Sequence, residues 1–309
     1  MKRTKLLLLI AALFLSSCTA VAQEKRLRIV CTDFPCYDFA RAVAGDSADI
    51  TMLIRPGAEV HSYEPSPTDI RAIAECDLFI YIGGESDAWV DDILSSFDAE
   101  APVSLRLIDS VTALEEETRE GMTVHEEAGE EQETEYDEHI WTSPVNTEIM
   151  VSKICESLCE ISPENAGQFK DNAEAYKAEI AAIDADFRQI VQNAARHEVI
   201  FADRFPLLYF VREYGLEYYA AFPSCSAESE PSAKTLAYLI DRVKDDGIPV
   251  IYTIEMSNRR TAKVIAEETG AEIRTFYSLQ TVSAADFAAG ETYVSLMRKN
   301  VEALREGLN

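Results

Sequence analysis

Histidine is scarce in this chain: 309 residues hold only four. Cationic side chains are scarce as well, 28 lysines and arginines against 55 aspartates and glutamates, for a formal net charge of −27. A surface so acidic repels polyanions, which excludes nucleic acid as a partner, and it attracts cations weakly over long range. Beyond the N-terminus no run reaches the roughly 18 apolar residues needed to span a bilayer. No His-Glu-x-x-His helix is present, so the common helical signature of zinc hydrolases is missing. No short internal repeat appears, only a coarse echo between two α/β halves.

The N-terminus has a different character. Met1-Lys2-Arg3-Thr4-Lys5 carries the positive charge of a signal peptide, and Leu6 to Phe14 form an apolar core too short to span as a stop-transfer helix. Leu15-Ser16-Ser17-Cys18 reads as a lipobox, in which cleavage falls before Cys18 and a lipid is attached to its sulfur. The expectation is a soluble, monomeric body in the cell envelope, outside the cytoplasm and tethered to the membrane through Cys18. Loss of residues 1–17 would remove three cations and move the charge to −30. Six cysteines remain, Cys31, Cys36, Cys76, Cys155, Cys159 and Cys225. Export permits disulfides, but a chain of this size has an adequate core without them, and spacing alone does not assign pairs.

Strands and helices alternate along the body. Leu27 to Thr32 reads as a first strand, Tyr37 to Ala44 as a helix, and Asp46 to Leu53 as a strand. Ser66 and Asp69 have the spacing of a helix cap, and the apolar Leu78 to Ile82 stops at Gly83-Gly84. Such alternation implies right-handed βαβ units and parallel sheets. Residues 115–138 hold twelve acids against Arg119 alone, which predicts a mobile acidic loop. A single amphipathic helix is expected from about Asn165 to Ala195, long enough to bridge two domains, with His197 at its end. Strands at Val199–Ala202, Val250–Ile254 and Ile273–Tyr277 and a closing helix at Tyr293–Leu308, capped by Thr292, complete a second series. The divisions are therefore 1–17 signal, 18–26 tether, 27–163 N-terminal lobe, 164–197 linking helix and 198–309 C-terminal lobe.

Two of the four histidines fall in Pro-bounded runs. His61 lies in Pro56-Gly57-Ala58-Glu59-Val60-His61-Ser62-Tyr63-Glu64-Pro65, and His139 in Tyr136-Asp137-Glu138-His139-Ile140-Trp141-Thr142-Ser143-Pro144. Neutral imidazole offers a nitrogen lone pair near neutral pH and is the commonest protein ligand for zinc. His125 lies in the acidic stretch, where it is as well read as a solvated loop residue.

With these pieces in order, the chain resembles the zinc- and manganese-binding substrate-binding lipoproteins of ABC transporters, the cluster A-I or zinc-uptake family. The matching segments are the opening from Ile29 to Phe39, Gly57 to Pro65, Asp137 to Pro144, the long helix, Glu230-Pro231-Ser232, and Glu255 at a strand end. The resemblance implies two four-stranded parallel α/β lobes joined by a long rigid helix, with metal held between them and passed to a membrane permease. It places His61 and His139 on the two N-lobe ligand positions.

The C-lobe departs from the family pattern. Where relatives carry a third ligand stands Arg204, whose guanidinium has no lone pair to offer, and the fourth slot falls on Ser278. Zinc asks for about four donors. Cys225, as thiolate, and Glu255 are the substitute candidates, with Arg204 and Glu228 beside them as supporting groups; Arg204 and Glu255 are also a candidate pair. The ion expected is Zn²⁺, with Mn²⁺ as the alternative. Two other functions compete: a metal-dependent surface adhesin lipoprotein, and a zinc hydrolase using Glu64 or Glu138 beside the histidines. The hydrolase lacks an obvious general base.

Overall fold

The computed structural model describes residues 26–97, 101–123, 135–224 and 230–309. Cys18, His125, Cys225 and Glu228 lie outside the described residues.

The first sheet holds four parallel strands in the order β2-β1-β3-β4: β1 Leu27–Cys31, β2 Ala48–Met52, β3 Leu78–Tyr81 and β4 Ser104–Arg106. Parallel neighbours need crossovers, supplied by α1 Phe34–Ala44, α2 Pro67–Glu75 and α3 Trp89–Ser95. Helix α1 starts where the Asp33 carboxylate accepts from the Cys36 N–H, and α2 opens on a Ser66–Asp69 capping box with a proline in its first turn. Helix α4, Pro144–Ile161, leads into α5, Ala166–Gln192.

Helix α5 buries Phe169, Ala173, Tyr176, Ile180, Ile183, Phe187 and Ile190. Their steps alternate four and three, so one stripe faces the core over about 32 Å of helix. The helix ends at Gln192, and His197 lies beyond it, where its carbonyl accepts from Glu217 N.

The second sheet repeats the plan in the order β6-β5-β7-β8: β5 Glu198–Arg204, β6 Glu217–Phe222, β7 Val250–Thr253 and β8 Glu272–Thr275, all parallel. Helices α6 Leu208–Tyr214, α7 Ala233–Asp245 and α8 Arg260–Thr269 connect them. After the short α9, Ala284–Ala288, the closing helix α10, Tyr293–Leu308, returns across α5. The fold is thus the expected pair of four-stranded parallel α/β lobes with a long linking helix. No helix among the described residues is long and apolar enough to cross a membrane.

Asp38 in α1 is a fully buried junction. Its carboxylate accepts from Arg41, from Tyr176 Oη of α5 at 2.7 Å, and from the Tyr293 N–H of α10 at 2.9 Å. One apolar core runs from β1 through α5 to α10, while smaller clusters cover the outer faces of the two sheets.

The acidic stretch differs from expectation. Residues 115–123 and 135–138 form an ordered strap laid onto the C-lobe. Glu115 bridges Tyr136; Glu117 pairs with Arg119 at 3.1 Å and with Arg212, and accepts from Tyr218 Oη at 2.9 Å; Thr123 N donates to Ala221 O. The C-lobe supplies a further cation and a hydroxyl, Arg212 and Tyr218, and with Arg119 these offset the repulsion between the segment's carboxylates.

Candidate metal centre

His61 stands on the turn after β2. Val60 beside it is buried, and Tyr63 holds the turn through Val60 O and the Asp69 carboxylate. His139 arrives from the other end of the strap, fully buried, on a single turn whose Ile140 and Trp141 are core residues. Trp141 Nε1 donates to Ser278 O at 2.8 Å, fastening this turn to the C-lobe. Tyr209 Oη of α6 donates to Asp137 O at 2.7 Å. The histidine rings approach to 6.3 Å between centroids.

Glu138 completes a group of three: donor atoms of His61, Glu138 and His139 lie within 4.8 Å of one another. Bonds of about 2.0–2.2 Å let one ion gather such a set with a small inward rotation of the side chains. Glu138 reaches this position because Gly84 has no side chain; a Cβ there would meet the Glu138 Cβ at 2.2 Å.

Hydrogen bonds fix which imidazole nitrogens are free. His139 Nδ1 lies 3.0 Å from Asp137 Oδ1, which leaves Nε2 as the acceptor nitrogen, and that atom is buried without a partner. Ser86 Oγ donates to Glu138 Oε1 at 2.5 Å and lies 2.8 Å from His61 Nδ1. A hydroxyl has one proton, so with it committed to Glu138, His61 Nδ1 is the donor to Oγ and its Nε2 lone pair faces the cleft. Ser86 N also donates to Glu138 Oε2 at 2.9 Å. Two imidazoles and a carboxylate thus bring donor atoms together within 4.8 Å of one another. The orphaned Nε2 of His139 is the kind of buried atom that an ion satisfies.

Burial holds His61 below the usual imidazole pKa against the pull of Glu138. Burial also opposes the charged form of His139, but Asp137 together with Glu138 and Glu116 outweighs it and the net shift is upward. Beneath the site, burial lifts Asp33 to about 6 and Asp87 to about 7.

The other sequence candidates fall elsewhere. Glu255 is buried just after β7, and both its oxygens accept from Ser278, from N and from Oγ, each at 2.6 Å. It lines the interlobe cavity but stands outside the three-residue group. Arg204 ends β5 in the wall of the same cavity, and its ion pair is with Glu59 of the opposite lobe at 3.6 Å. The suggested Arg204–Glu255 pair is therefore replaced by Arg204–Glu59 and Glu255–Ser278, since Ser278 is the nearer donor to the buried carboxylate. From the C-lobe, Gln280 Nε2 comes within 3.4 Å of both His61 Nε2 and Glu138 Oε1. Glu138 as a donor, Ser86 and Gln280 were not identified from sequence. The one available signal was the adjacency of Glu138 to His139, hidden in a run of acids.

Two parallel-sheet lobes on a long helix, with a group of side chains between them that could hold an ion, define a two-lobed binding protein. The chain belongs to the family described as zinc-uptake complex component A, periplasmic, whose profile matches residues 29–307. That family is one of metal-binding transport components and not of enzymes. The chain is 33% identical over 309 residues to the zinc-binding lipoprotein AdcA of Streptococcus pneumoniae serotype 4, covering 99% of this chain but 61% of that protein. It is 30% identical over 315 residues to the high-affinity zinc uptake system protein ZnuA of Bacillus subtilis, covering 97% of this chain and 94% of that one. The Zn(II)-bound ZnuA-like domain of S. pneumoniae AdcA superposes with a TM-score of 0.77 at 30% identity, over 92% of this chain and 99% of the domain.

Proposed function

We propose that this protein captures a divalent transition metal outside the cytoplasm, zinc before manganese, and hands it to the permease of an ABC transporter while anchored through a lipid on Cys18. One observation carries the reading: His61, Glu138 and His139 bring one donor atom each to within 4.8 Å of one another, with both Nδ1 atoms engaged by Ser86 and Asp137. Two imidazoles and a single carboxylate make a nitrogen-rich set, which suits zinc better than the oxygen-rich sets preferred by manganese. The relatives named for zinc binding and zinc uptake support the same ion. Glu255 and Cys225 remain candidate donors from the C-lobe, and the hydrogen bonds from Ser278 leave one lone pair on each oxygen of Glu255. The geometry offers no reason to prefer a surface adhesin.

The test is zinc calorimetry on metal-stripped protein. His61→Ala and His139→Ala should each weaken binding by at least about 100-fold. Near-native affinity in either variant would dismiss the assignment.

A further inference from the structure

The wall facing the ion site is unusual for a surface that must meet a cation. Each oxygen of Glu255 accepts one hydrogen bond from Ser278. The same wall carries hydrogen-bond donors, the Gln280 amide and the Arg204 guanidinium, alongside the carboxylates of Asp203 and Glu59. Arg204 makes a 3.6 Å contact with the half-exposed Glu59, which leaves most of its five N–H groups to spare. Donors set opposite a dication repel it unless an acceptor lies between them. Beside them is a cavity of about 270 Å³ between the lobes, whose wall also carries Ser257, Asn258 and Thr261. That is more room than a single water requires.

We propose that the ion is held together with one small α-amino acid, the ion on His61, Glu138 and His139 and the amino acid in this cavity. The inference rests on the metal-capture reading and names the chemical form of the cargo. Three protein donors with the amine nitrogen and one carboxylate oxygen make five, a number zinc accepts. On coordination the ammonium gives one proton to solvent and keeps two N–H groups. The carboxylate accepts from Gln280 and Arg204, and the coordinated amine faces a wall that includes Asp203 and Glu59. The same two carboxylates, with the overall charge of −27, disfavour a polyanion such as citrate.

The experiment titrates the metal-stripped protein with zinc, free zinc being read by a fluorescent indicator, with and without L-histidine, L-serine or glycine. At matched free zinc, at least one amino acid should lower the half-saturation point at least tenfold. Native mass spectrometry should then show an adduct of one zinc plus one amino acid. In Arg204→Gln, the ratio of half-saturation points with and without that amino acid should fall to within twofold of one. Equal half-saturation under all conditions, with only zinc in the mass, overturns the proposal while leaving zinc capture standing. Absence of zinc binding with or without amino acid removes both readings.

Discussion

At the scale of single residues, the site depends on Ser86, which ties the protonation state of His61 to Glu138. Ser86→Ala removes the acceptor for His61 Nδ1–H and the donor to Glu138, so ring and carboxylate lose their set orientation. Zinc affinity should fall by about 10- to 100-fold, as for other groups that orient metal ligands, with no change in fold by circular dichroism. Unchanged affinity would show that the ring is fixed by other contacts.

Asp33 and Asp87 carry a second consequence. Their folded-state pKa values, about 6 and about 7, exceed the ordinary aspartate value, so the folded chain binds protons more readily than the unfolded one. Stability of the metal-free protein should therefore decline as pH rises from about 4 through 7 and level off above. Asp87→Asn keeps an acceptor oxygen for the Ile82 and Gly83 amides that bond Asp87 Oδ2. Thermal melts of this variant should show a flatter decline and, at pH 8, a midpoint raised by about 3 °C or more. An equal or lower midpoint at pH 8 would count against a buried charge at Asp87.

Residue by residue, legibility was uneven for physical reasons. His61 and His139 stand out in the sequence because each sits in a distinctive local run, and the structure brings the two together. Glu138 was not, since its role depends on Gly84, a neighbour remote in sequence, and one carboxylate in an acidic run looks like the next. The partners of Arg204 and Glu255 are set by how the lobes meet, which no local pattern encodes.

At the scale of elements, features encoded within a few residues were the readable ones: the Ser66–Asp69 box, the seven-residue stripe of α5 and the Thr292 cap of α10. The strap was misjudged because its order is imposed by Arg212, Tyr218 and Ala221, about 100 residues away. Its anchors define a sharper deletion than removal of the whole acidic stretch. Replacing residues 124–134 with a Gly/Ser linker of matched reach should leave zinc affinity within about twofold, because His61, Glu138 and His139 all lie outside the cut. Glu117→Ala, by contrast, removes the partner of Arg212 and one of the two partners of Arg119 and should lower the melting midpoint by about 2–4 °C. Loss of tight binding on the 124–134 replacement would mean that this segment supplies a donor.

At the scale of the whole molecule, the two-sheet plan followed from the alternation of strands and helices, but the unity of the body did not. A single apolar core passes from β1 to α10, and buried Asp38 joins α1, α5 and α10. The lobes should therefore unfold together. Scanning calorimetry of the metal-free protein should give one transition with matching calorimetric and van't Hoff enthalpies. Two separable transitions would show that each lobe keeps a core of its own.

Because all three grouped donors belong to one lobe, the proposed reading assigns holding the ion and choosing what accompanies it to opposite walls. Positions 204, 257, 258, 261 and 280 can then drift without erasing ion capture. A single ancestral scaffold of this kind can diversify its cargo by altering one wall while the other stays under constraint, and a designer can mutate the same wall to retune selectivity.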